Sequence, residues 1–368
     1  MKRFIPVKSI TDIVLCHTVR EVSICFALVM IFAAGIFPLQ ASDEQTLPAA
    51  KQNELNKFFT EYAGLNADQI KAIQQGNAVA KLLKSPSEQV LVFGAVYVNA
   101  DPESYLAFAT DIDKTRKLPG YLAIRKFSDP PRLSDLDTFT LEPDDIKDLE
   151  KCKPGDCEVQ LPAENMQEFQ SSVNWKAPDA AKQVNDLAQK MALSALQSYI
   201  KGGNAALGTY RDKKSPNVVA EIFQALLAQS KALPVYMPDL RRYLLEYPSF
   251  KLPNIQSEFH WEKVKFGLKP TLRIIQRIIY RGSDETRKAY AVAEKQLYSS
   301  HYFQSALDIT VCVKDSAASN QAGFYLITAK ASQQVFKGGI VRNIAVGKAR
   351  SSLEEGLKAI KQKLEQSK

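Results

Sequence analysis

The last third of the chain constrains the fold most. From Ser257 to Gln333 the segments SEFHWEKVKFG, TLRIIQRIIYRG, EKQLYSSHYFQSALDITVCV and GFYLITAKASQ follow one another with turn-like breaks between them. They are enriched in β-branched and aromatic residues, the composition of a pleated, half-buried surface. Strands in unbroken series, joined by turns rather than by helices, predict a curved antiparallel sheet. The chain then closes with VGKARSSLEEGLKAIKQKLEQ, which brings Ile344, Val346, Leu353, Leu357, Ile360 and Leu364 near one stripe of a long amphipathic helix. A sheet with an apolar face needs a cover, and this helix is the natural candidate.

Upstream, the hydrophobic period switches more than once. NELNKFFTEYAGLNADQIKAIQQGNAVAKLL spaces Leu55, Phe58, Phe59, Tyr62, Ile70 and Ile73 at helical intervals, with Asn66 as the cap of the second of two short helices. QVLVFGAVYVNA over 89–100 predicts a strand, PESYLAFATDI a helix opened by Pro102, and YLAIRKFS a second strand. LEPDDIKDLEK predicts a short helix, with Asp144 and Asp145 at its acidic start, and EVQLP a further strand. PDAAKQVNDLAQKMALSALQSYI, PNVVAEIFQALLAQSKAL and PDLRRYLLEY then predict three helices, the first ending at Gly202-Gly203. The division expected is a leader at 1–41, the first part of an α+β domain at 42–163, an inserted helical module at 164–247, and the remaining strands and C-terminal helix at 248–368.

The leader reading rests on Lys2, Arg3, Lys8 and Arg20, the apolar run Val22–Phe37, and Pro38 with the small residues Ala41 and Ser42. That is the pattern of a secretory signal peptide cleaved near Ala41, the run being shorter than the ~20 residues of a spanning helix. An uncleaved N-terminal anchor is the alternative. Cleavage lowers the formal charge from +8 to +6 and leaves Cys152, Cys157 and Cys312. In an oxidising compartment Cys152 and Cys157, flanking Lys-Pro-Gly-Asp, read as a disulfide closed over a type II turn. Free thiols, or redox or metal chemistry, are the alternatives. Cys312 reads as a buried core thiol. The diffuse positive charge suits a solvated surface or an anionic membrane surface, and no Arg/Lys-rich aromatic module points to nucleic acid.

Strand, helices, strand, several antiparallel strands and a long last helix form an order that resembles the START-like, helix-grip superfamily. VLVFGAVYVNADPESYLAFATDIDKTRKLPGYLAIRKF is similar to that fold's first strand, first helices and second strand. The resemblance implies a bent sheet wrapped around the last helix, with an apolar ligand held between them. The leader, CKPGDC, FHWEKVKFGLKP and LYSSHYF together also resemble a secreted bacterial family of unknown activity, which implies export and specifies no chemistry.

No G-x-S-x-G, H-E-x-x-H, P-loop or G-x-G-x-x-G motif is present. No cofactor or resident metal is implied. Strand alternation in FHWEKVKF puts His260, Glu262, Val264 and Phe266 on one face and Phe259, Trp261, Lys263 and Lys265 on the other. His260, Glu262 and His301 are the candidate trio for acid–base or zinc chemistry; the alternative is that each histidine is a hydrogen-bonded strand residue. Trp261, Tyr302, Phe303 and Arg277 are the candidate ligand-binding residues. Arg277 lies between Arg273 and Arg281 on a strand face that is either solvated or aimed at an anionic headgroup. The expectation is an exported, non-catalytic protein for a hydrophobic or amphipathic, lipid-like ligand. The alternatives are an envelope enzyme using the trio and an envelope assembly protein docking through 164–247.

Overall fold

The computed structural model describes residues 47–118, 120–265, 269–282, 289–314, 323–334 and 339–366. The leader reading at 1–41 lies outside them. Among the described residues no helix is long and apolar enough to cross a membrane.

The chain opens with α1 (Leu47–Glu61) and α2 (Ala67–Gln74). The second is started by a reciprocal cap, in which the Asn66 side chain accepts from the Gln69 amide at 2.9 Å and the Gln69 side chain accepts from the Asn66 amide at 3.1 Å. A short edge strand β1 (Val79–Leu82) follows, then β2 (Gln89–Val98), α3 (Pro102–Thr110), the single turn α4 (Ile112–Thr115), β3 (Tyr121–Lys126) and α5 (Pro143–Leu149). Next come α6 (Ala163–Ser172), α7 (Ala180–Gly202), the two-residue strands β4 (Thr209–Tyr210) and β5 (Asn217–Val218), α8 (Val219–Gln229), the turn α9 (Leu233–Tyr236) and α10 (Pro238–Glu246). The β-rich third supplies β6 (Ile255–Val264), β7 (Thr271–Arg281), β8 (Ala289–Ser299), β9 (Phe303–Lys314) and β10 (Phe324–Gln334), and α11 (Gly339–Gln366) ends the chain.

The fold is α+β. Eight strands form one antiparallel sheet in the order β1-β2-β10-β9-β8-β7-β6-β3, so the first long strand pairs with the last. Both faces are covered, which explains why the strands read as nearly continuous apolar runs. On the inner face α11 and α3 bury Leu353, Leu357, Leu364, Tyr105, Leu106 and Phe108 against Val92, Val96, Cys312 and Leu326. Gly94 permits that approach: a Cβ there would stand 2.8 Å from Leu357 Cδ1 and 2.9 Å from Leu353 Cδ2. The space between α11 and β2 is therefore filled by side chains at this point. Of the predicted stripe, Leu353, Leu357 and Leu364 are buried while Ile344 is exposed.

On the outer face α1 and α2 pack Phe59, Ile70 and Ile73 on Phe93, Tyr325 and Ile327. There α7 packs Val184, Leu196 and Tyr199 on the Trp261, Ile274 and Leu297 side of the sheet, and α8 and α10 pack Phe223, Leu227, Leu240 and Leu244 on Ile278, Ala293 and Leu307. The helices between 163 and 246 thus share their cores with the sheet.

Three local readings change. AVAKLL, taken as the tail of a helix, is the strand β1, because the chain reverses after α2 at Gly76 (φ +80°) and pairs with β2. EVQLP is an irregular segment, since Gln160 bonds a turn instead of a neighbouring strand: its amide donates to Ser300 O at 2.9 Å and its side chain to Ser299 O at 2.9 Å. PNVVAEIF begins as β5, and helix starts only at Val219. The Cys152–Cys157 disulfide is formed, with Cα atoms 4.7 Å apart. Gly155 takes φ +88°, the conformation a type II turn requires, and Asp156 N donates to Lys153 O at 2.9 Å. Cys312 is a buried free thiol.

Candidate functional site

The inner face has two unlike ends. Beneath α3 and α11 it is apolar. Toward β6–β10 the register instead lines up one charged residue per strand: Glu258 opposite Arg277, Arg277 opposite Glu294, Glu294 opposite Asp308, and Asp308 opposite Lys330. Arg277 is buried and binds on both sides, its Nη2 lying 2.9 Å from Glu294 and its Nη1 3.4 Å from Glu258. Lys330 bonds Asp308, and Lys126 of β3 bonds Glu258. The row crosses interior strands, yet the Glu294 and Lys330 side chains keep 32% and 44% of their surface in contact with solvent. Solvent thus reaches part of this charged row, although Arg277 and Glu258 are buried.

A second group lies further along β6 and β7. Glu262 accepts from Arg273 Nη1 at 2.8 Å, Arg273 Nε donates to Gln296 Oε1 at 3.3 Å, and the guanidinium sits 5.6 Å from the centre of the Phe303 ring. His260 stands between the two groups, opposite Ile275 and 1% exposed. Its Nε2 is 3.6 Å from Glu262 Oε2, beyond hydrogen-bond length, and among the described residues neither ring nitrogen has a hydrogen-bond partner. Buried polar atoms are paired in the great majority of cases, so this imidazole is the exceptional group of the site.

Glu294 and Glu262 are held ionised. Burial pushes the Glu294 carboxyl up, but the Arg277 guanidinium, with a further contribution from Lys330, outweighs it and holds the group at about 2. Burial also opposes ionisation of Glu262, and the Arg273 charge reverses the balance and lowers it. Tyr121 is pushed well above its ordinary value by burial and then by the charges of Glu262 and Glu294, so its phenol stays neutral. On the boundary with the apolar end, Tyr105 and the Thr310–Thr328 hydroxyl pair, 3.0 Å apart, grade the surface from charged to polar to aliphatic.

His260 and Glu262 share a face, as alternation requires. His301 is engaged elsewhere, before β9, where Nδ1 contacts Glu158 O at 3.1 Å and Nε2 contacts Asp145 Oδ2 at 3.0 Å. Both partners are acceptors, so a ring carrying hydrogen on both nitrogens makes the two contacts together. Asp145, read from sequence as a helix-start residue, is buried and also lies 3.4 Å from Lys269 Nζ. Trp261 faces the outer core, edge-on to Phe139, and donates from Nε1 to Asp135 O at 2.8 Å. Tyr302 takes φ +62° in the turn before β9, and its hydroxyl accepts from the Lys269 amide at 3.1 Å. Of the four candidate ligand residues, Arg277 lies in the charged row and Phe303 beside Arg273.

Glu258, Glu294, Asp308 and Lys330 were not singled out from sequence. Their signal was the placement of charges inside otherwise apolar strands, as in AVAEKQL and ALDITVCV. No protein-family model matches the chain, and no curated protein is significantly similar to it.

Proposed function

We propose that the chain is an exported, non-catalytic binding protein for an amphipathic, lipid-like ligand, seated on the inner face with its polar end over the charged row. The observation that carries this reading is the buried His260 imidazole, without a hydrogen-bond partner on either nitrogen among the described residues, beside a row of self-paired charges that solvent partly reaches. A polar headgroup supplies the partners it lacks, and Ile279 and Val292, buried on the same face two residues along β7 and β8 from Arg277 and Glu294, are the apolar neighbours of the row. The sheet order, with the first long strand against the last and a long terminal helix across it, supports a START-like, helix-grip reading in which α6–α10 are the inserted helical module. The polar contacts required here put the ligand beside α11 rather than beneath it.

One observation favours a second reading. The His260–Glu262 separation of 3.6 Å needs only a small approach to give a general base oriented by a carboxylate. Native mass spectrometry of the full chain purified from its own host separates the two. A bound mass that is lost in His260→Leu and in Glu294→Gln supports the carrier. A bound mass that changes identity in His260→Asn, as an unconverted substrate does, supports the enzyme. A wild-type protein carrying no ligand at all overturns the carrier reading.

A further inference from the structure

A hollow of about 100 Å³ lies on the opposite, outer face, under α7. Leu141, Phe169, Met191 and Leu196 form its walls, Ile274 and Leu297 its floor, and Tyr199 part of its lining. One same-face step along β7 and β8 from that floor stand Gln276 and Lys295, register partners of each other. Lys295 is 0% exposed. Its Nζ donates to Tyr199 Oη at 3.0 Å and to Asn204 Oδ1, and it lies 4.1 Å from the centre of the Phe223 ring and 4.9 Å from that of Tyr199. Tyr199 Oη in turn donates to Gln276 Oε1 at 2.6 Å. Among the described residues every group touching this ammonium is neutral. Among the described residues no carboxylate lies within ion-pair distance of it, whereas Arg277, on the adjacent strand and the other face, has two.

We propose that this hollow is a second binding site and that it takes a short aliphatic carboxylic acid, the chain in the hollow and the carboxylate turned toward Tyr199 and Lys295. The volume sets the length. A cavity of about 150 Å³ holds a six-carbon ring, so about 100 Å³ suits a chain of roughly four or five carbons. The charge sets the headgroup, because an anion supplies the counter-charge that the surrounding rings, amide and phenol do not. Burial pushes the Lys295 amine down to about 7, so at pH 8 the unliganded amine is mostly neutral and a bound carboxylate draws a proton onto it. Proton uptake on binding is therefore expected.

Isothermal titration calorimetry of the full chain with pentanoate, 1-pentanol and pentylamine at pH 8, in two buffers of different ionisation enthalpy, tests the proposal. Pentanoate should bind at least tenfold more tightly than pentanol, with uptake of up to one proton, and pentylamine more weakly than either. Lys295→Met should abolish both the preference for acid and the proton uptake while pentanol still binds. Ala195→Leu, which narrows the hollow, should weaken acid and alcohol alike, and unfolding curves report whether each variant is folded. Equal affinity for acid and alcohol in the wild type, no binding of either, or an acid preference that survives Lys295→Met overturns it.

Discussion

Two cations lie buried at the middle of this sheet, on adjacent strands and opposite faces. Arg277 is enclosed by the carboxylates of Glu258 and Glu294, while among the described residues Lys295 meets only a phenol, an amide oxygen and two aromatic rings. The difference appears in their protonation. Burial acts against both charges, but the paired carboxylates raise Arg277 above its usual value, whereas Lys295, with nothing to offset its desolvation, falls to about 7. The same strand geometry thus yields a locked ion network on one side and a titratable amine on the other.

Breaking the network should have the largest effect. Arg277→Met leaves two inner-face carboxylates without their guanidinium, and loss of about 3–5 kcal/mol is expected in urea unfolding at pH 7. A loss under about 1 kcal/mol would show that solvent already screens the row. For Lys295 the sign reverses. With a folded pKa of about 7 against an ordinary 10.5, the unfolded chain binds the extra proton between those values, so wild-type stability rises with pH across that window. The slope should approach roughly 1.4 kcal/mol per pH unit. Lys295→Met should flatten it and raise stability near pH 7, as unfolding curves at pH 7, 8, 9 and 10 would reveal.

Glu294→Gln probes the network more gently. A carboxyl held at about 2 instead of 4.5 contributes stability present above pH 4.5 and lost as pH falls toward 2. Its side chain is about one-third exposed, so the expected reduction in acid sensitivity is about 1 kcal/mol, readable from melting temperatures at pH 3 and pH 6. The smallest change should be His260→Leu. Removing two unpaired ring nitrogens from a buried site should leave the unliganded protein unchanged or stabilise it by about 1 kcal/mol, while ligand occupancy falls. A clear destabilisation of the apoprotein would mean that the imidazole is bonded in the native state.

Much of the framework was legible because the relevant signals are local. The β6–β10 series and the terminal helix follow from period-two and period-3.6 patterns, and the CKPGDC turn from its proline and glycine. What failed locally was decided at a distance. Val79–Leu82 became a strand because β2 offers it an edge, and EVQLP stayed irregular because Gln160 is bonded to the turn at Ser299 and Ser300. The site divides in the same way. Alternation put His260 and Glu262 on one face and Trp261 on the other, but it could not bring His301 to them, because that ring is held by Asp145 of α5.

Glu294 and Lys295 illustrate the boundary. Being consecutive in a strand, they had to point to opposite faces, and the amino-acid order alone determined that. Which partners each would meet depended on strand register on one side and on how α7 and α8 dock on the other. The register partners of Arg277 lie 17 and 19 positions away and the partners of Lys295 91 and 96 positions away, beyond what a local period encodes; only the tertiary structure gave one charge its counter-ions and, among the described residues, left the other with none.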